Sequence, residues 1–367
     1  MRFKNIEFLR FMFAVIIVYF HIYHSNIVRF VGENQLYKTL LDGCGQAGLA
    51  VEMFLIIAGF FFFQSINKRK EQSCLDFALN KIARLWPVLA FSVLCAGILS
   101  IFGILKFNFN TQLINLLMLN NIGINLDYRG ITWFIAPFFW VMVLFFYFLK
   151  NWKIEKADFI IALLVYFSLV VKINYGHGHI GGRNTLFYFL SGGVMRCIIG
   201  LGLGYFIGKF YNRVKNCPVI FKTKVSKITK YVLVSATEIY CFSFLIYRFL
   251  IRQASYPNDI IFLIVFSIMF FLFLIKQGFL SRLLENNISD FLGKYSYSIY
   301  VMQQTAFLLL GVFVWKHQAF ILNHIWLNLF ISIGFSVLLG ALVYHFVEVP
   351  VGKFLREKFA LIFSQKD

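Results

Sequence analysis

From Phe8 to His24 the chain reads FLRFMFAVIIVYFHIYH, an apolar stretch of about the length a bilayer core requires, with two ionisable residues inside it, Arg10 and His21. They stand eleven positions apart. On an α-helix that is about 16 Å of rise and close to three whole turns, so both lie on one face, one toward each end. A charge at such depth costs at least ~2.5–3.5 kcal/mol for an Arg at a helix centre, which drives it toward a protein interior or a wet cavity. Taken alone, the pair has a plainer account: Arg10 snorkels to the interface and His21 is a satisfied interfacial histidine. The rest of the chain decides between the two.

With 60% hydrophobic and only 14% charged residues, the composition is not that of a soluble globular domain. It predicts an all-α, polytopic membrane helical bundle. About ten apolar stretches have the length of a crossing, at roughly 8–24, 48–65, 85–105, 132–149, 157–172, 186–208, 231–251, 258–275, 292–314 and 321–346. In the sixth, Gly192, Gly193, Gly200, Gly202, Gly204 and Gly208 allow close approach of a neighbouring helix. Charge placement tests the count. With both termini cytoplasmic, 24 of the 35 Lys and Arg fall on inner segments and eight on outer ones, counting Lys294 and Lys172 at the span ends, which leaves Arg10, Arg196 and Arg248 inside spans. The same bias accounts for most of the net charge of +19 without nucleic acid as a partner. No linker or charge block divides the chain, so residues 1–367 read as one membrane domain. Six scattered cysteines without a CxxC predict neither a disulfide framework nor a metal site. No small-residue cleavage site follows His24, so the first span reads as uncleaved.

Three further groups carry potential chemistry. Lys81 and Arg84 stand about one helical turn apart at the cytoplasmic mouth of the third span. They either anchor the helix to the inner interface or form a cationic site for phosphates. Glu52, at the outer end of the second span, shares its side with His21; it is either an interfacial carboxylate in water or the group that orients the imidazole and raises its basicity. Glu348, in Tyr344-His345-Phe346-Val347-Glu348-Val349-Pro350, closes the last span. His24 is a weaker candidate base, closer to water. Gly176-His177-Gly178-His179 has no nearby acidic or thiol ligand, and so reads as an acceptor-contacting or flexible loop before a metal site.

Taken in order, these blocks resemble the acyltransferase-3 family of integral-membrane O-acyltransferases. Arg10, ten residues, then His21 matches its first-span signature. Val51-Glu52-Met53-Phe54-Leu55-Ile56-Ile57-Ala58-Gly59-Phe60 is similar to its second block, with Glu for Asp and Ala58 for Ser. Lys81-Ile82-Ala83-Arg84-Leu85-Trp86-Pro87 resembles its Arg-rich block with Lys81 at an Arg position, and Thr132-Trp133-Phe134-Ile135 its fourth-span motif. Gly293-Lys294-Tyr295-Ser296-Tyr297-Ser298-Ile299-Tyr300 and Glu348-Val349-Pro350 match its last two. The resemblance covers essentially the whole chain. It departs where the family often has a His after the Ser-Tyr-x-x-Tyr block; here stand Met302-Gln303-Gln304, which leaves His21 as the sole catalytic imidazole expected.

The resemblance implies a multi-pass protein of the inner (cytoplasmic) membrane that moves an acyl group, commonly acetyl, from cytoplasmic acyl-CoA to a hydroxyl. The implied acceptor is an outer carbohydrate: lipopolysaccharide, capsule or exopolysaccharide. Membrane lipid surrounds it and no metal is expected. Arg10, Lys81 and Arg84 would hold the phosphate end of the donor, acetyl-CoA in the first instance. His21 would act as general base with Glu52 beside it, by direct transfer or through an acyl-histidine. Trp133, Tyr297, Tyr300 and Glu348 would line the substrate cavity. A flippase of lipid-linked sugars and a polysaccharide polymerase are the competing classes. Only eight basic residues on the outer segments weigh against the polymerase, and no inverted repeat is visible to favour the transporter.

Overall fold

The computed structural model describes residues 3–24, 47–66, 69, 71–123, 131–176, 179–181, 185–186, 190–216, 227–250, 258–316 and 324–364. These form a helical bundle: α1 (Lys4–His24), α2 (Ala50–Ile66), α3 (Cys74–Ile101), α4 (Phe109–Leu116), α5 (Ile135–Asn151), α6 (Ile154–Tyr175), α7 (Gly192–Asn216), α8 (Lys227–Leu250), α9 (Asn258–Ile275), α10 (Phe279–Leu283), α11 (Asn287–Gly293), α12 (Ser296–Lys316), α13 (Ile325–Val343) and α14 (Val349–Ser364). A short antiparallel pair, β1 (Thr185–Leu186) and β2 (Leu190–Ser191), precedes α7. Among the described residues, seven helical stretches are long and apolar enough to cross a membrane, and Asp259–Ile275 is apolar but shorter. Large apolar side chains such as Leu233, Tyr240, Phe330 and Phe346 point outward on these helices, as lipid contact requires.

α1 runs through the middle of the bundle. Ile6, Leu9, Phe13, Ala14, Ile17, Val18 and Ile22 are buried along it, and it packs on α2, α9, α10, α11, α12 and α13. α2 and α7 make the closest approach. A methyl group at Gly59 would strike the Leu201 carbonyl, and one at Gly204 would strike the Ile56 carbonyl. These glycines set the separation of two backbones, the use expected of small residues between membrane helices.

Polar contacts join like ends. Lys4 Nζ donates to Asn287 Oδ1 at 2.6 Å, and Lys150 Nζ to the Gln72 carbonyl at 2.7 Å, all from segments the charge bias assigns to the cytoplasm. The Ile180 N–H donates to Asp259 at 2.8 Å, and Arg196 to the Gly181 carbonyl at 2.7 Å, on the side assigned outside. Alternating crossings require this pairing.

Some boundaries differ from the sequence expectation. α3 begins at Cys74, well before residue 85, because Ser73 and Asp76 form a reciprocal capping box: Asp76 N–H donates to Ser73 Oγ at 3.0 Å and Ser73 N–H to Asp76 Oδ2 at 3.2 Å. Lys81 and Arg84 therefore sit within the helix rather than before it. The β1–β2 pair occupies residues expected in the sixth span, and α7 extends to Asn216. α13 passes through a widened turn, Tyr344–Glu348, directly into α14. Such single wide turns recur at functional sites.

Candidate active site

A cavity of about 390 Å³ opens inside the bundle between α1, α2, α3, α5 and α12. On α2 its lining runs from Val51 to Ser65, fourteen positions apart and so about 21 Å of helix rise. One end is cationic and the other aromatic. Arg10, Arg69, Lys81 and Arg84 line it together with a single carboxylate, Glu7. Tyr300 and Phe134 lie toward the far end, their rings 4.7 Å apart edge to face.

Three of the cations have close partners within the protein. Arg10 donates to Glu7 Oε2 at 2.8 Å, one turn back on α1. The Lys81 ammonium and the Arg69 guanidinium lie 5.2 and 5.7 Å from the centroid of the Phe77 ring, which itself stacks on Phe146 at 4.2 Å. Burial pushes the Arg69 guanidinium, in the turn between α2 and α3, down from its ordinary value. Arg84 is accessible at its surface yet ringed by protein, so its exposure is into the cavity. It lies within electrostatic reach of Arg10, Glu7 and Glu348. Pro87, three residues on, has no N–H for the Ala83 carbonyl, over which Gly352 packs. Tyr297 donates its hydroxyl to the Leu85 carbonyl at 2.6 Å, tying α12 to the turn that carries Arg84. Glu348, in the widened turn, accepts from Ser298 Oγ at 2.5 Å.

His21 lies on the same helix as Arg10 but outside the cavity lining. Its Nδ1 is 3.0 Å from the Ile17 carbonyl and 3.2 Å from Gln303 Oε1 on α12. Gln303 Nε2 in turn donates to the Tyr300 carbonyl at 2.8 Å, which links the imidazole to a residue that does line the cavity.

The structure thus brings Arg10, Lys81, Arg84, Tyr297 and Tyr300 together around one cavity. It places Glu52, Trp133 and Glu348 outside the lining. The Glu52 carboxylate is fully buried and bonds to Arg196 on α7, through Arg196 Nε to Oε1 and through Nη2 to Oε2 at 2.8 Å. Arg196 also donates to the Gly181 and Gly48 carbonyls, and its guanidinium lies 4.5 Å from the Trp133 ring centroid. The side chain that meets the His21 imidazole from across the helix interface is Gln303, whereas the Glu52 oxygens meet Arg196. Glu52 is taken by Arg196 because both reach the same level of two helices that glycines bring close. His179 Nδ1 lies 3.6 Å from Asp259 Oδ2; His177, Gly178 and the side chain of His24 lie outside the described residues.

Three contributors were hidden in the sequence. Arg69 sits in Lys68-Arg69-Lys70, which reads as topology charge. Arg196 offered a usable signal, an intramembrane cation facing an intramembrane Glu52 of opposite sign. Gln303 belongs to Met302-Gln303-Gln304, the segment in which the family often has a His and this chain has none.

An acyltransferase domain family matches residues 3–345, nearly the whole chain. No curated protein and no solved structure matches it.

Proposed function

The chain belongs to the acyltransferase family that its residues 3–345 match, a membrane member of it, and from that premise we propose that it is an O-acyltransferase of the cytoplasmic membrane. In this reading it takes an acyl group, acetyl in the first instance, from acyl-CoA on the cytoplasmic side. It delivers the group to a hydroxyl of a cell-surface or exported carbohydrate. The observation that carries the reading is the cavity, cationic where phosphates would dock and extended along α2 over about 21 Å toward Tyr300 and the His21–Gln303 pair.

Arginine and lysine suit phosphate oxygens, and Arg84, Lys81, Arg69 and Arg10 together outnumber the one lining carboxylate. The apolar stretch past Phe54, Ala58 and Tyr297 suits an extended thioester arm. At the far end His21, as neutral imidazole, takes the acceptor's proton while the hydroxyl oxygen attacks the thioester carbonyl. The C–O ester bond forms, the C–S bond breaks, and the imidazolium returns its proton to the departing thiolate. Membership of a transferase family favours this reading over the flippase and the polymerase. The carbohydrate acceptor rests on the resemblance and on the outer-end position of His21.

Arg84→Ala tests the donor site. Removing one charge-assisted hydrogen-bond donor is expected to weaken acetyl-CoA binding to the detergent-purified protein roughly ten- to a hundredfold. Binding of S-acetylpantetheine, which lacks the nucleotide phosphates, should be unchanged. Equal acetyl-CoA affinity in wild type and variant, with activity reduced, would remove the phosphate role from Arg84.

A further inference from the structure

Two acceptors converge on one nitrogen of His21. The Ile17 carbonyl lies 3.0 Å from Nδ1, and the Gln303 amide 3.2 Å from it. A carboxamide can face an imidazole through either its oxygen or its nitrogen, and here the second contact decides. Gln303 Nε2 lies 2.8 Å from the Tyr300 carbonyl, which can only accept, so the amide nitrogen points there and Oε1 points at His21. With an acceptor at both contacts, Nδ1 carries the hydrogen, and in the neutral ring Nε2 carries the lone pair. Gln303 is fully buried, which keeps water from competing for the bond.

We propose that Gln303 is a positioning residue for the acyl-transfer reaction: it holds His21 from across the helix interface in the tautomer whose Nε2 is the base. The inference rests on the assignment of His21 as general base. Ile17 belongs to the same helix as His21 and follows any movement of α1. Gln303 ties the ring to α12, the helix that also carries Tyr297 and Tyr300 into the cavity. As Nε2 accepts the hydroxyl proton, the ring becomes imidazolium and the Nδ1–H bond to Oε1 becomes charge-assisted, so it strengthens during the step rather than before it. A neutral amide here serves where a carboxylate or a second histidine would otherwise orient the base.

The test pairs spectroscopy with kinetics on the full-length protein in detergent. In histidine-selective nitrogen-15 spectra, with the His21 signals assigned by their loss in His21→Ala, the neutral wild-type ring is expected to be protonated at Nδ1. A ring protonated at Nε2 would overturn the proposal without any change at position 303. Gln303→Leu, followed as CoA release from acetyl-CoA, is expected to lower kcat roughly ten- to a hundredfold with KM for acetyl-CoA within about twofold. Gln303→Glu, as the neutral acid whose O–H replaces Nε2 as donor to the Tyr300 carbonyl, keeps an acceptor oxygen toward Nδ1 and should recover most of that loss. A Leu variant with wild-type kcat, or a Glu variant no better than Leu, would reduce Gln303 to packing. Full turnover in His21→Ala would instead sink the general-base assignment, leaving the tautomer to be decided by the spectra.

Discussion

Replacing His21 with alanine is expected to lower the rate of acyl transfer from acetyl-CoA by roughly 10²–10⁴-fold, the range associated with a general base. The hydroxyl of a carbohydrate is a poor nucleophile until its proton has somewhere to go, and His21 is the imidazole bonded to Gln303, which in turn bonds the carbonyl of the cavity-lining Tyr300. Donor binding should survive, because the cations that line the cavity mouth belong to other positions. Acetyl-CoA affinity within about twofold of wild type, together with the loss of turnover, separates a catalytic effect from a folding one. A variant whose turnover falls less than tenfold would show that His21 does not take the proton.

The second large effect concerns stability. Arg196→Ala leaves the Glu52 carboxylate fully buried and without the guanidinium that holds both its oxygens. Breaking a buried ion pair by removing one partner costs roughly 3–5 kcal/mol, because a charge is left uncompensated. The loss is compounded at the α2–α7 interface, where Gly59 and Gly204 already commit the two backbones to close contact. The paired replacement Glu52→Leu with Arg196→Leu should be more stable than either single change, since an apolar pair leaves no orphan charge. Thermal unfolding in detergent reads the comparison. A double variant no more stable than Arg196→Ala would mean that the two residues do not act as a pair. In the same experiment, turnover should track the folded fraction, as expected for a carboxylate whose bonds go to Arg196 rather than to His21.

Much of the architecture was legible before the structure. Apolar stretches and the placement of Lys and Arg predicted a multi-pass bundle, whereas the three-turn spacing that put Arg10 and His21 on one face of the first span did not show that only Arg10 lines the cavity. Lys81 and Arg84, read as one turn of a phosphate site, do line the cavity with Arg10. What spacing could not supply was azimuth. Glu52 and His21 share an expected side of the membrane, but side alone does not say which helix faces which, and α7 rather than α1 presents the charge to Glu52. Gln303 was harder still, because a neutral amide gives no signal in composition, charge or periodicity. Its role follows from packing between residues that are 282 apart in sequence. The early start of α3 was readable in Ser73 and Asp76, whose spacing is that of a capping box. The widened turn at Tyr344–Glu348 was not, since a one-residue slip of the hydrogen-bond ladder leaves the apolar pattern intact.

The most direct measurement of the central claim is the ester content of the cell-surface glycans in three strains. One carries the wild-type protein, one lacks it, and one carries His21→Ala at equal abundance in the membrane. The account predicts that one O-acyl group, present in the first strain, is missing from both of the others. Full esterification in the His21→Ala strain, with the same group lost in the strain lacking the protein, would contradict it.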